Sequence, residues 1–470
     1  MPIVLADPSD NQPVRIAVVG SGPAGFYAAG HLLKESNVEV DMLERLPTPH
    51  GLVRSGVAPD HPKIKTVTRV YEKTSAHPRF RFFGNIELGR DVTVEELREH
   101  YHAIIYAVGA AADRPLGIAG EELPGSWAAT DFVGWYNGHP DYCDLDFDLG
   151  CERAVVIGNG NVALDVARML TLDHAELAIT DVADHALEAL RESAVREVVV
   201  LGRRGPAQAA FTNPELLELG EMKDVDVLVD GDELERALAV TDTGMDPTSE
   251  RNVKVLREYA QRPLSGQPRR IVLRFLLSPL EFTGDPNDGV AGVRVVRNEL
   301  VGGADGALRA QATDQEETIE AGLVLRAVGY RGRPLPGVPF DEQRGVIVNE
   351  GGRVQDPDGG EVRPGEYVVG WIKRGPTGVI GTNKKDAQET VDAILQDMAA
   401  DALPSPPNSD AQAIEELLLL RRPDLITYEG WSEIDRHERG LGEPHGRPRV
   451  KLTRIEEMLR VAAEQRSVPL

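Results

Sequence analysis

One supersecondary unit occurs twice in this chain, and the repeat limits the possible folds more than any other feature. In the first copy the apolar run Arg15-Ile16-Ala17-Val18-Val19 reaches Gly20-Ser21-Gly22-Pro23-Ala24-Gly25, and a helical stretch, Phe26 to Lys34, follows. A second apolar run, Val38 to Leu43, then stops at Glu44. A bare glycine pattern marks only a turn, but strand, turn, helix and strand in this order form a βαβ unit that can cradle a dinucleotide. Gly20 permits the tight turn, Gly22 lets backbone approach a pyrophosphate, and Gly25 brings helix close to strand. Glu44 then suits a ribose hydroxyl; the plainer reading is a solvated strand end.

The second copy is Arg153-Ala154-Val155-Val156-Ile157-Gly158-Asn159-Gly160, with Ala163 in place of the third glycine, a small residue that the unit tolerates. Its next strand, Glu197 to Gly202, is followed by Arg203-Arg204 where the first copy has an acid. An acid accepts hydrogen bonds from a free ribose diol, whereas guanidinium groups match a 2′-phosphate in geometry and charge. Two solvated arginines after a strand are the plain alternative. The unlike pair of units predicts FAD in the first and NADP(H) in the second, hence a flavin-dependent oxidoreductase.

The fold class expected is α/β, with two Rossmann-like dinucleotide-binding domains and mainly parallel sheets. Residues 1–112 form the first part of the FAD domain, 113–335 an inserted NADP domain, and 336–470 the second part of the FAD domain with a C-terminal tail. The strand-and-glycine elements Ala103 to Ala110 and Leu323 to Tyr330 carry the chain between domains. Thr171 to Ala194 reads as an insertion with a helix over Ala186 to Arg191. Leu403 to Ser409 reads as a stiff linker. After it, Ala411 to Leu420 and Leu452 to Ala463 read as helices of a tail packed on the outside.

Composition excludes several classes. With 41% hydrophobic and 27% charged residues among 470, the bulk of the chain should fold, and neither intrinsic disorder nor fibrous repeats are expected for it. No apolar stretch approaches the roughly 18 residues of a membrane span, and Met1 to Pro13 lacks the features of a secretory leader, so a cytoplasmic protein is expected. A net charge of −25 disfavours nucleic acid. Cys143 and Cys151 are too few for a disulfide framework or a four-thiolate cluster. They lack CxxC spacing and lie at an acidic stretch that would not stabilise thiolates, against redox disulfide chemistry. No metal is called for.

Longer motifs make the chain resemble a known family. They are Gly51-Leu-Val-Arg54-Ser-Gly56-Val-Ala-Pro-Asp-His61-Pro-Lys, Arg79-Phe-Arg-Phe-Phe-Gly84-Asn, Gly158-Asn-Gly160-Asn-Val-Ala-Leu-Asp165, Gly202-Arg203-Arg204-Gly205 and Gly370-Trp371-Ile-Lys-Arg-Gly375-Pro-Thr-Gly378-Val-Ile-Gly381-Thr-Asn. Over nearly its whole length the sequence is similar to the adrenodoxin-reductase-like ferredoxin–NADP reductases, the actinobacterial ones in particular. The resemblance implies hydride transfer from NADPH to FAD and single-electron transfer to a ferredoxin-type iron–sulfur protein.

It also implies roles. Gly20, Ser21, Gly22 and Ala24 would lie at the FAD pyrophosphate, Glu44 on its ribose, Leu52 along its length and Leu88 by the adenine. Trp371, Gly378, Val379 and Ile380 would close over the isoalloxazine, with Gly378 also facing NADP. Asn159, Gly160, Asn161, Val162, Arg203, Arg204, Glu215 and Arg114 would line the NADPH groove. His61, Glu218 and Asp165 would lie near flavin and nicotinamide, orienting the carboxamide or relaying a proton. Each has a duller alternative: a loop histidine satisfying backbone groups, and two helix-surface acids. An acidic partner needs a basic dock, for which Lys63, Lys65, Arg69, Lys373, Arg374, Lys384 and Lys385 are candidates. The family's aromatic residue in the Pro47-Thr48-Pro49-x-Gly51 turn is here His50, which raises the expectation of an imidazole titrating near neutrality beside the flavin. A flavin monooxygenase and a non-catalytic nucleotide-sensing or electron-transfer scaffold subunit share the two units and remain the alternatives; the oligomeric state stays open.

Overall fold

The computed structural model describes residues 13–239, 245–303, 307–358 and 360–466. The segment read above for a leader lies, up to residue 12, outside the described residues.

Strands rich in Val and Ile, buried on both faces, pair in parallel in two sheets, the pattern expected where helices cover both sides. The first sheet is centred on Val14–Val19, flanked by Val38–Glu44 and Phe80–Gly84 on one side and by Ala103–Tyr106 and Val362–Val368 on the other. Arg353–Gln355 and Asn349–Glu350 extend it antiparallel to seven strands. The second sheet has six parallel strands in the order Ser126–Ala128, Leu323–Arg326, Arg153–Ile157, Glu197–Gly202, Arg269–Phe275 and Val225–Val229.

The sequence repeat survives in single hydrogen bonds. Gly20 N donates to Leu43 O at 2.8 Å and Gly158 N to Leu201 O at 2.9 Å, while Ala107 N meets Val19 O and Ala327 N meets Ile157 O. Between the sheets, Ala112–Asp113 and Tyr330–Arg331 pair antiparallel, so the chain leaves and returns side by side. The stretch 171–194 contains helices His174–Leu177 and Asp184–Arg191.

Two features depart from the sequence reading. A three-stranded antiparallel sheet, Leu277–Asp285, Gly289–Gly302 and Leu308–Glu320, was not foreseen. Its last strand is almost wholly exposed and therefore lacks the alternation that announces a strand. The second departure corrects the expectation of a tail on the outside. Beyond helix Ala411–Arg421, an unforeseen helix, Tyr428–Gly442, and helix Ile455–Arg466 bury Trp431, Ile434 and Met458 in the apolar core beneath the seven-stranded sheet.

The tail also fastens the two sheets together. Glu438, with a fully buried side chain, takes a two-pronged hydrogen bond from Arg54 (2.8 and 2.5 Å), another from Arg449 at 3.1 Å and one from Leu452 N at 2.8 Å. Lys451 Nζ donates to Arg54 O and to Asn137 Oδ1, both at 3.1 Å, and Arg447 reaches Thr180 O, Val182 O and Asp184. Substituting Glu438→Leu leaves Arg54 and Arg449 without this counter-charge, and removing one partner of a buried pair costs about 3–5 kcal/mol. Urea unfolding is expected to show that loss, and an unaltered midpoint would refute it. Among the described residues no helix is long and apolar enough to cross a membrane.

Candidate functional site

The first glycine turn is shaped by what surrounds it. Gly20 has φ +105°, and a Cβ there would stand 2.6 Å from Ala107 O; at Gly22 a Cβ would meet nothing within 4 Å. Packed backbone behind and open space in front are what a pyrophosphate cradle requires. Ser21 and Glu44 are brought together: the Glu44 carboxylate accepts from Ser21 N (3.0 Å), Ser21 Oγ (2.6 Å) and Leu46 N (3.1 Å). Ala24 touches the C-terminal segment, since a Cβ on Gly370 would lie 2.7 Å from Ala24 Cβ. Trp371 follows Gly370 directly and stacks obliquely on Tyr330 (centroids 5.3 Å apart), and its Nε1 is buried without a protein partner. Open cradle and orphaned indole N–H both fit a bound dinucleotide. Leu52 and Val379 are exposed, Ile380 is half-buried, and Gly378 lies in the exposed turn whose Val379 N donates to Thr382 Oγ1. Leu88 is turned into the core with Ile86 and Val92.

The second turn starts helix Asn161–Thr171 at Gly160, with Val162 half-buried at its first turn. Asn159 O accepts from Ala210 N and Asn161 Oδ1 from Thr212 N, fixing the neighbouring loop. Arg203 and Arg204 are exposed, as is Arg114. Among the described residues neither Arg203 nor Arg204 is in an ion pair.

Between the two turns lies a cluster that joins the sheets. The Arg168 side chain is 2% exposed. It donates to Asp60 (2.9 Å), Asp165 (2.7 Å), Glu215 (3.0 Å) and, through Nη2, to His61 Nε2 (2.8 Å). His61 Nε2 also lies 2.7 Å from Glu218 Oε2, whose side chain is partly exposed, and 3.8 Å from Glu215. Asp60 and His61 come from a loop of the seven-stranded part; Asp165, Arg168, Glu215 and Glu218 come from helices Asn161–Thr171 and Asn213–Leu219. The structure thus gathers His61, Glu218, Asp165 and Glu215, the last turned toward Arg168.

One ring nitrogen cannot accept from Arg168 and donate to Glu218 at once. Nε2 therefore has two exclusive states: bare and bonded by Arg168, or protonated and bonded to Glu218. Burial pushes the Asp165 carboxyl up to about 6, against the downward pull of Arg168. Sequence reasoning missed Asp60 and Arg168; the three-residue step from Asp165 to Arg168 on one helix was the available signal.

Two expectations are corrected. Lys65 is no docking residue: its Nζ is held by Asp181 at 2.6 and 2.8 Å, and burial lowers its pKa. Lys63, Arg69, Lys384 and Lys385 are exposed, whereas Lys373 pairs with Asp386 and Arg374 bonds to Thr377 O and Asn383. His50 does not titrate near neutrality. It sits 6% exposed among Phe26, Tyr71 and Trp431, and burial, helped by Arg54 and Arg449, lowers it to about 3.

The unfolded imidazole protonates below its usual 6.5 while the folded one stays neutral, so stability is lost as pH falls from 6.5 toward 3. The loss at pH 5 is about 2 kcal/mol. His50→Phe should remove that share of the difference in urea stability between pH 7 and pH 5; an unchanged difference refutes it.

Cys143 and Cys151 are free thiols, both raised in pKa by burial.

The chain matches the pyridine nucleotide-disulphide oxidoreductase family over residues 14–250. It is 53% identical over 460 residues to the NADPH-ferredoxin reductase FprA of Mycobacterium tuberculosis, covering 96% of this chain and 99% of that protein. It is 42% identical over 459 residues to the mitochondrial NADPH:adrenodoxin oxidoreductase of Salvelinus fontinalis, with 95% and 91% covered. The structure of Mycobacterium tuberculosis FprA in complex with NADPH superposes with a TM-score of 0.91 at 53% identity, covering 96% of this chain and all of that one. Matching fold, nearly full-length identity and two unlike nucleotide turns place this chain among the pyridine nucleotide-disulphide oxidoreductases, in their adrenodoxin-reductase-like ferredoxin–NADP reductase branch.

Proposed function

We propose that the protein is an NADPH-dependent FAD flavoprotein that passes electrons to a ferredoxin-type iron–sulfur protein. The observation that carries this reading is the pair of unlike turns, Glu44 at one and Arg203-Arg204 at the other, with the Arg168–His61 cluster between them. The seven-stranded sheet supports a FAD domain made of residues 1–112 and 336–470, and the six-stranded sheet an NADP domain of 113–335. FAD, when bound, accepts a hydride and releases electrons one at a time.

The chain's own residues supply binding, orientation and proton handling. The Gly20–Gly22 backbone and the positive end of helix Pro23–Leu32 receive a pyrophosphate, and the Ser21-held Glu44 presents its carboxylate to a ribose. Trp371 closes the opposite wall. His61 Nε2 holds a proton in one of its two states and hands it to Glu218, whose partly exposed carboxylate leads to solvent. Exposed Lys63, Arg69, Lys384 and Lys385 suit an acidic partner. Two unpaired thiols suit a reducing compartment, so the cytoplasm is the location proposed.

The test is anaerobic titration of the purified yellow protein with NADPH and then NADH, followed by cytochrome c reduction with and without ferredoxin. NADPH should bleach the flavin preferentially, and ferredoxin should accelerate cytochrome c reduction. A hydroxylated product without ferredoxin would favour a monooxygenase, and a flavin that NADPH cannot reduce would favour a scaffold subunit.

A further inference from the structure

The arginine pair after strand Glu197–Gly202 is held by its backbone, and the groups that hold it belong to the antiparallel sheet. Arg203 O accepts from Asn298 Nδ2 at 2.9 Å, and Arg204 O from Leu276 N at 3.2 Å. Asn298 is buried at a register shift in strand Gly289–Gly302. Its Nδ2 also reaches Ser278 Oγ at 2.8 Å, and its backbone N donates to Leu276 O at 2.7 Å. Leu276 has φ +60°, a conformation rare outside glycine, at the point where parallel strand Arg269–Phe275 gives way to antiparallel strand Leu277–Asp285. Leu276 packs with Leu300 and Ala237 in a small apolar cluster. At Gly205, the next residue, a Cβ would lie 3.0 Å from Ala237 Cβ and 3.2 Å from Leu300 Cδ1. The pair therefore has a fixed backbone and exposed guanidinium groups.

We propose that Asn298 is a positioning residue for coenzyme selectivity, and that the antiparallel sheet braces the arginine pair for a nucleotide 2′-phosphate. This rests on reading Arg203 and Arg204 as the 2′-phosphate ligands. A braced backbone removes conformational freedom that binding would otherwise have to quench, and geometric fit decides the strength of a guanidinium–phosphate contact. NADH carries no 2′-phosphate and gains nothing from the brace, so loosening it penalises NADPH alone.

The test uses the holoenzyme with ferricyanide as acceptor. In Asn298→Ala the ratio of kcat/KM for NADPH to that for NADH should fall about fivefold or more, the scale of one lost hydrogen bond. Calorimetry should show a matching loss of affinity for adenosine 2′,5′-bisphosphate, with no such loss for adenosine 5′-monophosphate. A ratio within twofold of wild type, or parallel losses for both coenzymes, overturns the proposal. Should Asn298→Ala not fold, Ser278→Ala, which removes the second anchor of the Asn298 amide, should show the same bias at about twofold; a parallel loss there overturns it equally. An Arg203→Ala/Arg204→Ala variant run alongside separates the two readings. If that variant keeps the wild-type ratio, the phosphate reading falls and this inference with it; if it loses the ratio while Asn298→Ala keeps it, the inference alone falls.

Discussion

Replacing Arg168 with methionine is expected to slow flavin reduction by NADPH about 10- to 100-fold and to lower stability by about 3–5 kcal/mol. The guanidinium bonds Asp60, Asp165 and Glu215 as well as His61, so its loss leaves three carboxylates, from one loop and two helices, without their common partner. Methionine keeps much of the volume and removes the charge, which isolates the electrostatic part. Asp165, already near 6 through burial, loses the counter-charge that pulls it down and moves higher still, so it takes up a proton near neutrality. Any pH dependence that Asp165 gives the reduction rate near 6 in the wild type should therefore move to higher pH in this variant. Arg168→Lys should recover stability more than rate, since one ammonium restores charge but not the fork that bonds several acids and His61 together. Stopped-flow reduction and urea unfolding of both variants check these outcomes; a wild-type rate in Arg168→Met would remove the cluster from the mechanism.

Replacing both Arg203 and Arg204 with alanine is expected to lower kcat/KM for NADPH by two to four orders of magnitude while changing that for NADH less than about threefold. A hydrogen bond to a charged group contributes about 1.5–3 kcal/mol, and on the proposed reading both arginines address one phosphate. Neither guanidinium is in an ion pair among the described residues, so a phosphate bound there would displace no existing salt bridge. Both residues are exposed, so the double substitution should leave the urea midpoint within the range of ordinary surface changes, about 0.5 kcal/mol. Steady-state kinetics with the two coenzymes decides it: parallel losses would mean that the arginines read something common to both.

The parallel sheets and both glycine turns were legible in the sequence because Gly20, Gly22, Gly158 and Gly160 are consequences of backbone geometry, which local sequence encodes directly. The acid at one strand end and the arginines at the other were legible for the same reason. His61, Glu218 and Asp165 could be nominated through the family resemblance, but their meeting could not be read. Asp60, in a loop, and Arg168, on helix Asn161–Thr171, lie far apart in the chain, and only tertiary contact relates them. The brace under the arginine pair was illegible because Asn298 sits at a bulge in a strand whose neighbour has no apolar alternation. Lys65 looked like any surface lysine until the fold placed Asp181 against it. His50 looked titratable because sequence does not report that Phe26, Tyr71 and Trp431 enclose it.

Arg54 emerges from the ribosome hundreds of residues before Glu438 and Lys451, its partners in the strap. A nascent chain can thus assemble the inserted six-stranded sheet early, yet the sheet that begins first must wait for residues 349–368 to fill it and for 438–451 to lash it to its neighbour. A transcript cut short before codon 438 should therefore yield a polypeptide whose two lobes lack this strap and meet only through contacts made earlier in the chain, such as Arg168 with Asp60 and Lys65 with Asp181.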